Sequence, residues 1–149
     1  MKYNKNMRIG LIAHDERKRD LLEWVKFNSL ILANHQLICT GTTGSLIEKE
    51  IKELRKKVVK LKSGPLGGDQ EMGAKITQDE IDILIFFWDP MEAQPHDVDV
   101  KALLRIATVY NVAVACNRST ADFLISSPLL EQQYHPVLKD YTDYLDRKV

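Results

Sequence analysis

Residues 82–90 read Asp-Ile-Leu-Ile-Phe-Phe-Trp-Asp-Pro. A strand with one wet face would alternate polar and apolar residues, so this unbroken apolar run, stopped by Asp-Pro, reads as a strand buried on both faces. Shorter β-rich runs fall on either side of it, and with it they predict about five strands, at 7–13, 36–40, 58–61, 82–88 and 112–116. Amphipathic stretches between them predict helices near 17–28, 45–56, 70–78, 100–110 and 120–125. This alternation implies an α/β fold, a three-layer Rossmann-like sandwich whose mainly parallel sheet carries helices on both faces. With no low-complexity linker or internal repeat, a single domain spanning 1–149 is expected, and 134–149 reads as a polar terminal extension carrying Tyr141 and Tyr144.

Composition narrows the partners. Lys and Arg total 21, as do Asp and Glu, so the net charge is zero and little phosphate-backbone attraction is available; nucleic acid is not an expected partner. The run 83–88 is far below the roughly 20 residues that span a bilayer, so no membrane association is expected. The first apolar segment runs straight into His14 and Asp15, unlike a signal peptide. Cys39 and Cys116 stand alone, offering neither a disulfide framework nor a CxxC metal site. The expected compartment is the reducing cytoplasm.

Ligands of open α/β sheets gather beyond the carboxyl ends of the strands, and here nearly every Gly-rich or polar cluster falls there. Thr40-Gly41-Thr42-Thr43-Gly44 follows a strand and opens a helix, so its hydroxyls and backbone N–H groups suit a phosphate cradle as well as a plain capped turn. It lacks the lysine of a P-loop. Ser63-Gly64-Pro65-Leu66-Gly67-Gly68-Asp69 is a second anion-friendly loop. Asp69 stands where a helix N-cap belongs, yet the glycines beside it leave room for a substrate carbon to reach the carboxylate. The loop 89–99 carries two prolines and several acidic residues, and presents His96 beside Asp97 and Asp99. That set suits a proton-shuttling imidazole, a divalent metal site, or a solvated acidic cap for the following helix. His14 and Lys18 are four residues apart at the end of the first strand and can face one site. His35 and His135 read as surface or partly buried structure, and Trp24, Phe86, Phe87 and Trp88 as core. Ser119 and Ser126 have no neighbouring histidine, so Ser-His-Asp hydrolysis has no support.

Seven segments in order, IGLIAHD (9–15), TGTTG (40–44), SGPLGGDQ (63–70), IFFWDP (85–90), AQPHD (93–97), DVKALLR (99–105) and ACN (115–117), resemble the methylglyoxal synthases. The likeness runs from Arg8 to about Leu130. It implies a lyase without metal or other cofactor that converts dihydroxyacetone phosphate to methylglyoxal and orthophosphate, usually as a homohexamer. By position it implies Asp69 as the catalytic carboxylate, His96 as the residue polarising the substrate, and Asp99 as an assisting acid. His14, Lys18, Thr40, Gly41, Thr42, Thr43, Ser63 and Gly64 match contacts to substrate or inorganic phosphate. The departures are Val98, where proline is common, and Glu71-Met72, where glutamine and an aliphatic residue are usual. The same fold also resembles the effector-binding domain of carbamoyl phosphate synthetases, so a non-catalytic regulatory module is the alternative. A triosephosphate isomerase-like enzyme needs similar groups.

Overall fold

In the computed structural model, which describes residues 6–132 and 134–148, five strands form one sheet: β1 (Arg8–Ala13), β2 (Gln36–Cys39), β3 (Val58–Lys60), β4 (Ile83–Phe87) and β5 (Ala113–Ala115). Their order is β3-β2-β1-β4-β5, and every pairing is parallel. Helices α1 (Lys18–Phe27), α2 (Ser29–Leu32), α3 (Gly41–Glu50), α4 (Gly68–Thr77), α5 (Asp97–Val109), α6 (Arg118–Ile125) and α7 (Thr142–Leu145) complete the described residues, with short 3-10 turns between. The ends of the expected domain, 1–5 and 149, lie outside them.

The unbroken apolar run of β4 is explained by its two buried faces. Ile83, Ile85 and Phe87 pack with α1, α3 and α6 through Leu21, Trp24, Val25, Ile47 and Ala121. Leu84 and Phe86 point the other way, onto Met72 and Ile76 of α4 and Val100, Leu103 and Ala107 of α5. Each residue step along a strand reverses the side chain, so both helical layers draw on the same five-residue strand. On the first face, the Trp24 indole N–H donates to Asp122 Oδ1 at 2.9 Å, tying α1 to α6. Among the described residues no helix is long and apolar enough to cross a membrane.

The strands fall where the sequence puts them, within a residue at most ends, but the helices differ. Helix α3 opens at Gly41 rather than 45, with Thr40 extended before it. The glycines of that motif suggested a loop, yet their role is close packing inside a helical turn. A Cβ at Gly41 would lie 2.9 Å from the Leu61 carbonyl oxygen, and one at Gly44 would lie 2.7 Å from Lys60 Cγ. The segment 52–57 is a separate 3-10 helix, because Ile51 leaves the helical region. Helix α5 begins at Asp97 rather than 100, taking Asp97 and Asp99 into its first turn, where the helix dipole favours acids. Trp88 is not core: β4 ends at Phe87, and the indole beyond it is 42% exposed. His35 is buried, with its Nδ1 accepting the Met7 N–H, while His135 is exposed.

The core assignment makes a direct prediction. Leu84→Ala, at a side chain with no exposure, should lower unfolding stability by about 2–5 kcal/mol. Phe123→Ala, 78% exposed on α6, should change it by no more than about 0.5 kcal/mol. Urea denaturation of both variants checks the contrast, and equal losses would contradict it.

Candidate active site

Strands β1 and β4 are adjacent, but the chain leaves β1 towards one face of the sheet and leaves β4 towards the other. A crevice opens at such a switch point, beyond the carboxyl ends of the strands. His14 follows β1 directly, and its backbone N–H extends the ladder to the Phe87 carbonyl at 3.2 Å. Its Nδ1 accepts the Asp89 backbone N–H at 3.0 Å. A nitrogen that accepts carries no proton, so the neutral ring holds its hydrogen on Nε2. That Nε2 is buried and has no protein partner. Burial, followed by the nearby His96, lowers the His14 pKa and favours this neutral donor.

Lys18 opens α1 and folds back, its Nζ donating to the Ala13 carbonyl at 3.1 Å and pairing with Asp15 at 2.6 Å. The Lys18 ammonium holds the Asp15 carboxyl below its usual range. Across the crevice lies the amino end of α3. Thr43 is buried there with its hydroxyl unpartnered.

The third wall is the turn that follows β3. Ser63 is extended, Gly64–Leu66 form a 3-10 turn, and Gly67, at φ 103°, occupies the N-cap position of α4. Only glycine enters that left-handed region at little cost. Asp69 therefore sits inside the first turn and does not cap the helix, contrary to its structural reading from sequence. The residue is 2% exposed, and neither carboxylate oxygen has a hydrogen-bond partner. His96, at the N-cap of α5, brings Nε2 to 3.5 Å from Asp69 Oδ2. The His96 and His14 rings stand perpendicular at 5.4 Å between centroids. Burial raises the Asp69 pKa, His96 opposes that shift, and the charge of Asp99 adds to it. Gly64 faces this pair so closely that a Cβ would lie 2.9 Å from His96 Nε2 and 3.5 Å from Asp69 Oδ2.

A cavity of about 220 Å³ joins these walls. Of the residues anticipated from sequence, it gathers His14, Lys18, Thr40, Thr42, Ser63, Gly64, Asp69 and His96. Gly41, Thr43 and Asp99 do not line it: Gly41 donates its N–H to the Lys62 carbonyl, and Asp99 lies half-buried on the first turn of α5. Asp15, Pro65 and Gln94 also line it. They stand inside motifs already singled out, beside the residues chosen, so adjacency was their signal. The Asp89 backbone that orients His14 had none. Among the described residues no group of three or more His, Cys, Asp or Glu is placed to hold a metal ion.

Comparison with known proteins places the whole chain. The family described as the MGS-like domain matches residues 20–116. A methylglyoxal synthase of Coxiella burnetii is 57% identical over 140 residues, covering 94% of this chain and 96% of the relative. The chain belongs to the methylglyoxal synthase family. Another member of that family, from Leptospira interrogans, is 61% identical over 134 residues, covering 90% of this chain and 88% of its own. The crystal structure of methylglyoxal synthase from Elizabethkingia anophelis NUHP1 superposes with a TM-score of 0.90 at 51% identity, covering 97% of this chain and 93% of that one.

A carboxylate buried without donors has a consequence for folding. Because its pKa is raised in the folded state, the associated stability is complete below the unfolded value of about 3.9 and is lost as pH rises through the folded value. Asp69→Asn removes that cost. The variant should melt above the wild type near neutral pH, and the difference should shrink as the pH falls towards about 4. Thermal unfolding across that range checks the sign, and a lower melting temperature for the variant at neutral pH would contradict it.

Proposed function

We propose that this chain eliminates phosphate from dihydroxyacetone phosphate to give methylglyoxal and orthophosphate, with Asp69 as general base. The observation carrying the proposal is the buried Asp69 carboxylate, free of donors and 3.5 Å from His96 Nε2, in a crevice whose other walls suit an anion. A carboxylate fully satisfied by hydrogen bonds would be a weak base, whereas one raised by burial is closer to the proton affinity needed to deprotonate carbon.

In this reading Asp69 takes a proton from the hydroxymethyl carbon next to the carbonyl. The C–H electron pair becomes the new C=C bond, and negative charge moves onto the carbonyl oxygen. His96 stabilises the enediolate as a hydrogen-bond donor, and the Nε2–H of His14 is a second donor in the same cavity. The proton of the hydroxyl on the deprotonated carbon then passes by way of His96 to the enediolate oxygen, and the pair left on the hydroxyl oxygen forms the aldehyde C=O. The C=C pair shifts towards the phosphate-bearing carbon and expels phosphate by breaking its C–O bond, leaving an enol that tautomerises to methylglyoxal. Elimination wins over isomerisation when the C–O bond stands out of the enediolate plane, where it overlaps the π system. Thr42, Ser63, the N–H groups at Thr43 and Gly64, and Lys18 would hold that angle and stabilise the departing anion. Asp99 contributes its charge rather than a contact, keeping Asp69 basic. Every step uses side chains and backbone groups, so the reaction needs no added metal. We extend the reading, on the family likeness, to a homohexamer working in the cytoplasm.

The assay is incubation with dihydroxyacetone phosphate and simultaneous measurement of dicarbonyl and free phosphate. The wild type should release both in equal amounts without added metal. Asp69→Asn should lose activity by about 10²–10⁴-fold while remaining folded. Inorganic phosphate should compete with substrate, less strongly in Lys18→Ala and equally in Arg55→Ala, since Arg55 lies remote from the cavity and donates to the Glu48 carbonyl. Glyceraldehyde 3-phosphate as the main product would replace the lyase with an isomerase, and near-normal turnover in Asp69→Asn would remove the base.

A further inference from the structure

The peptide of Lys62 is where three walls of the crevice meet. Its carbonyl accepts the Gly41 N–H at 3.2 Å, joining it to the amino end of α3. The start of α4 presses against the same carbonyl, so that a Cβ at Gly68 would lie 2.0 Å from the Lys62 oxygen. The next residue, Ser63, accepts the N–H groups of Leu66 at 3.0 Å and Gly68 at 2.9 Å. Both of these approaches to the Lys62 carbonyl are made by backbone. On its other side a single side chain closes the arrangement: the Lys62 N–H donates to Glu71 Oε1 at 3.0 Å.

We propose that Glu71 is a positioning residue for phosphate recognition, fixing the Lys62 peptide and through it the Ser63-Gly64 turn against the amino ends of α3 and α4. The proposal rests on the reading of the crevice as a phosphate site. Glu71 and Asp69 are two positions apart on one helix and therefore point in different directions. Asp69 faces His96, whereas Glu71 turns to the loop. Glu71 does not line the cavity, so it acts through the peptide it holds. Its geometry requires reach and an acceptor oxygen. Negative charge is not required, and beside a phosphate site charge works against binding.

Three substitutions separate these properties. Glu71→Gln keeps the length and the acceptor but removes the charge. Glu71→Asp keeps the charge but is one methylene too short, and Glu71→Ala loses both. Inorganic phosphate binding to the intact protein, measured by calorimetry, is the primary readout, with kcat and KM for dihydroxyacetone phosphate beside it. Glu71→Gln should bind phosphate as tightly as the wild type or more so. Glu71→Asp and Glu71→Ala should bind it about three- to tenfold more weakly, with KM rising in parallel and kcat falling less. A residue that merely supported the fold would lower the melting temperature without this split between KM and kcat and without rescue by glutamine. Weak binding in Glu71→Gln with normal binding in Glu71→Asp would overturn the proposal in favour of charge, and normal binding in all three would overturn it outright. If the wild type itself binds no phosphate, the phosphate reading of the crevice fails first and takes this inference with it.

Discussion

A carboxylate buried without a single hydrogen-bond donor is an expensive thing to place in a protein, and Asp69 is such a group. The surrounding architecture makes sense once that cost is taken as the constraint. The parallel sheet supplies a rigid floor, and the reversal between β1 and β4 opens space at its carboxyl edge. The helix carrying Asp69 packs against α5, which carries His96, through Met72, Ile76, Leu103 and Ala107 in one apolar layer. The 3.5 Å approach of the two side chains is therefore set by helix packing and does not depend on a flexible loop closing.

Close backbone approach is the second theme. Gly64 leaves room between the turn and the Asp69–His96 pair, and Gly68 lets α4 begin against the Lys62 carbonyl. A methyl group at the first would displace the Asp69 and His96 side chains, and one at the second would push the helix away. Buried polar atoms without a partner, His14 Nε2, both Asp69 oxygens and His96 Nδ1, belong to residues that line the cavity, so its walls hold unspent hydrogen-bonding capacity. A ligand rich in oxygen would satisfy it. In a native fold such groups cluster where they serve chemistry, since elsewhere they would be paired.

The sheet was readable because its signal is local: apolar runs of the right length, stopped by Asp-Pro or Gly-Thr, translate directly into buried parallel strands. The placement of Asp69, His96, His14 and Lys18 at strand ends followed from that, and their roles came from resemblance to a family. What local pattern could not convey was the reason for the glycines at 41 and 44. They resemble turn formers, but they sit inside helix α3 because Leu61 and Lys60 press against them. Trp88 likewise reads as core, and only the end of β4 at Phe87 leaves it outside. The tautomer of His14 depends on a backbone N–H 75 residues away, at Asp89, and the Lys62 peptide becomes a junction only after folding.

The central claim is that Asp69 is held as a buried, unsatisfied base, and its own titration tests that most directly. Carboxyl ¹³C NMR of the ligand-free protein, with the Asp69 resonance assigned by its disappearance in Asp69→Asn, would follow the group through its protonation. The account predicts a midpoint above the ordinary aspartate value of about 3.9, because burial disfavours the charged form. A midpoint at or below that value would mean that the carboxylate is solvated or paired, and the crevice would not be built around a base.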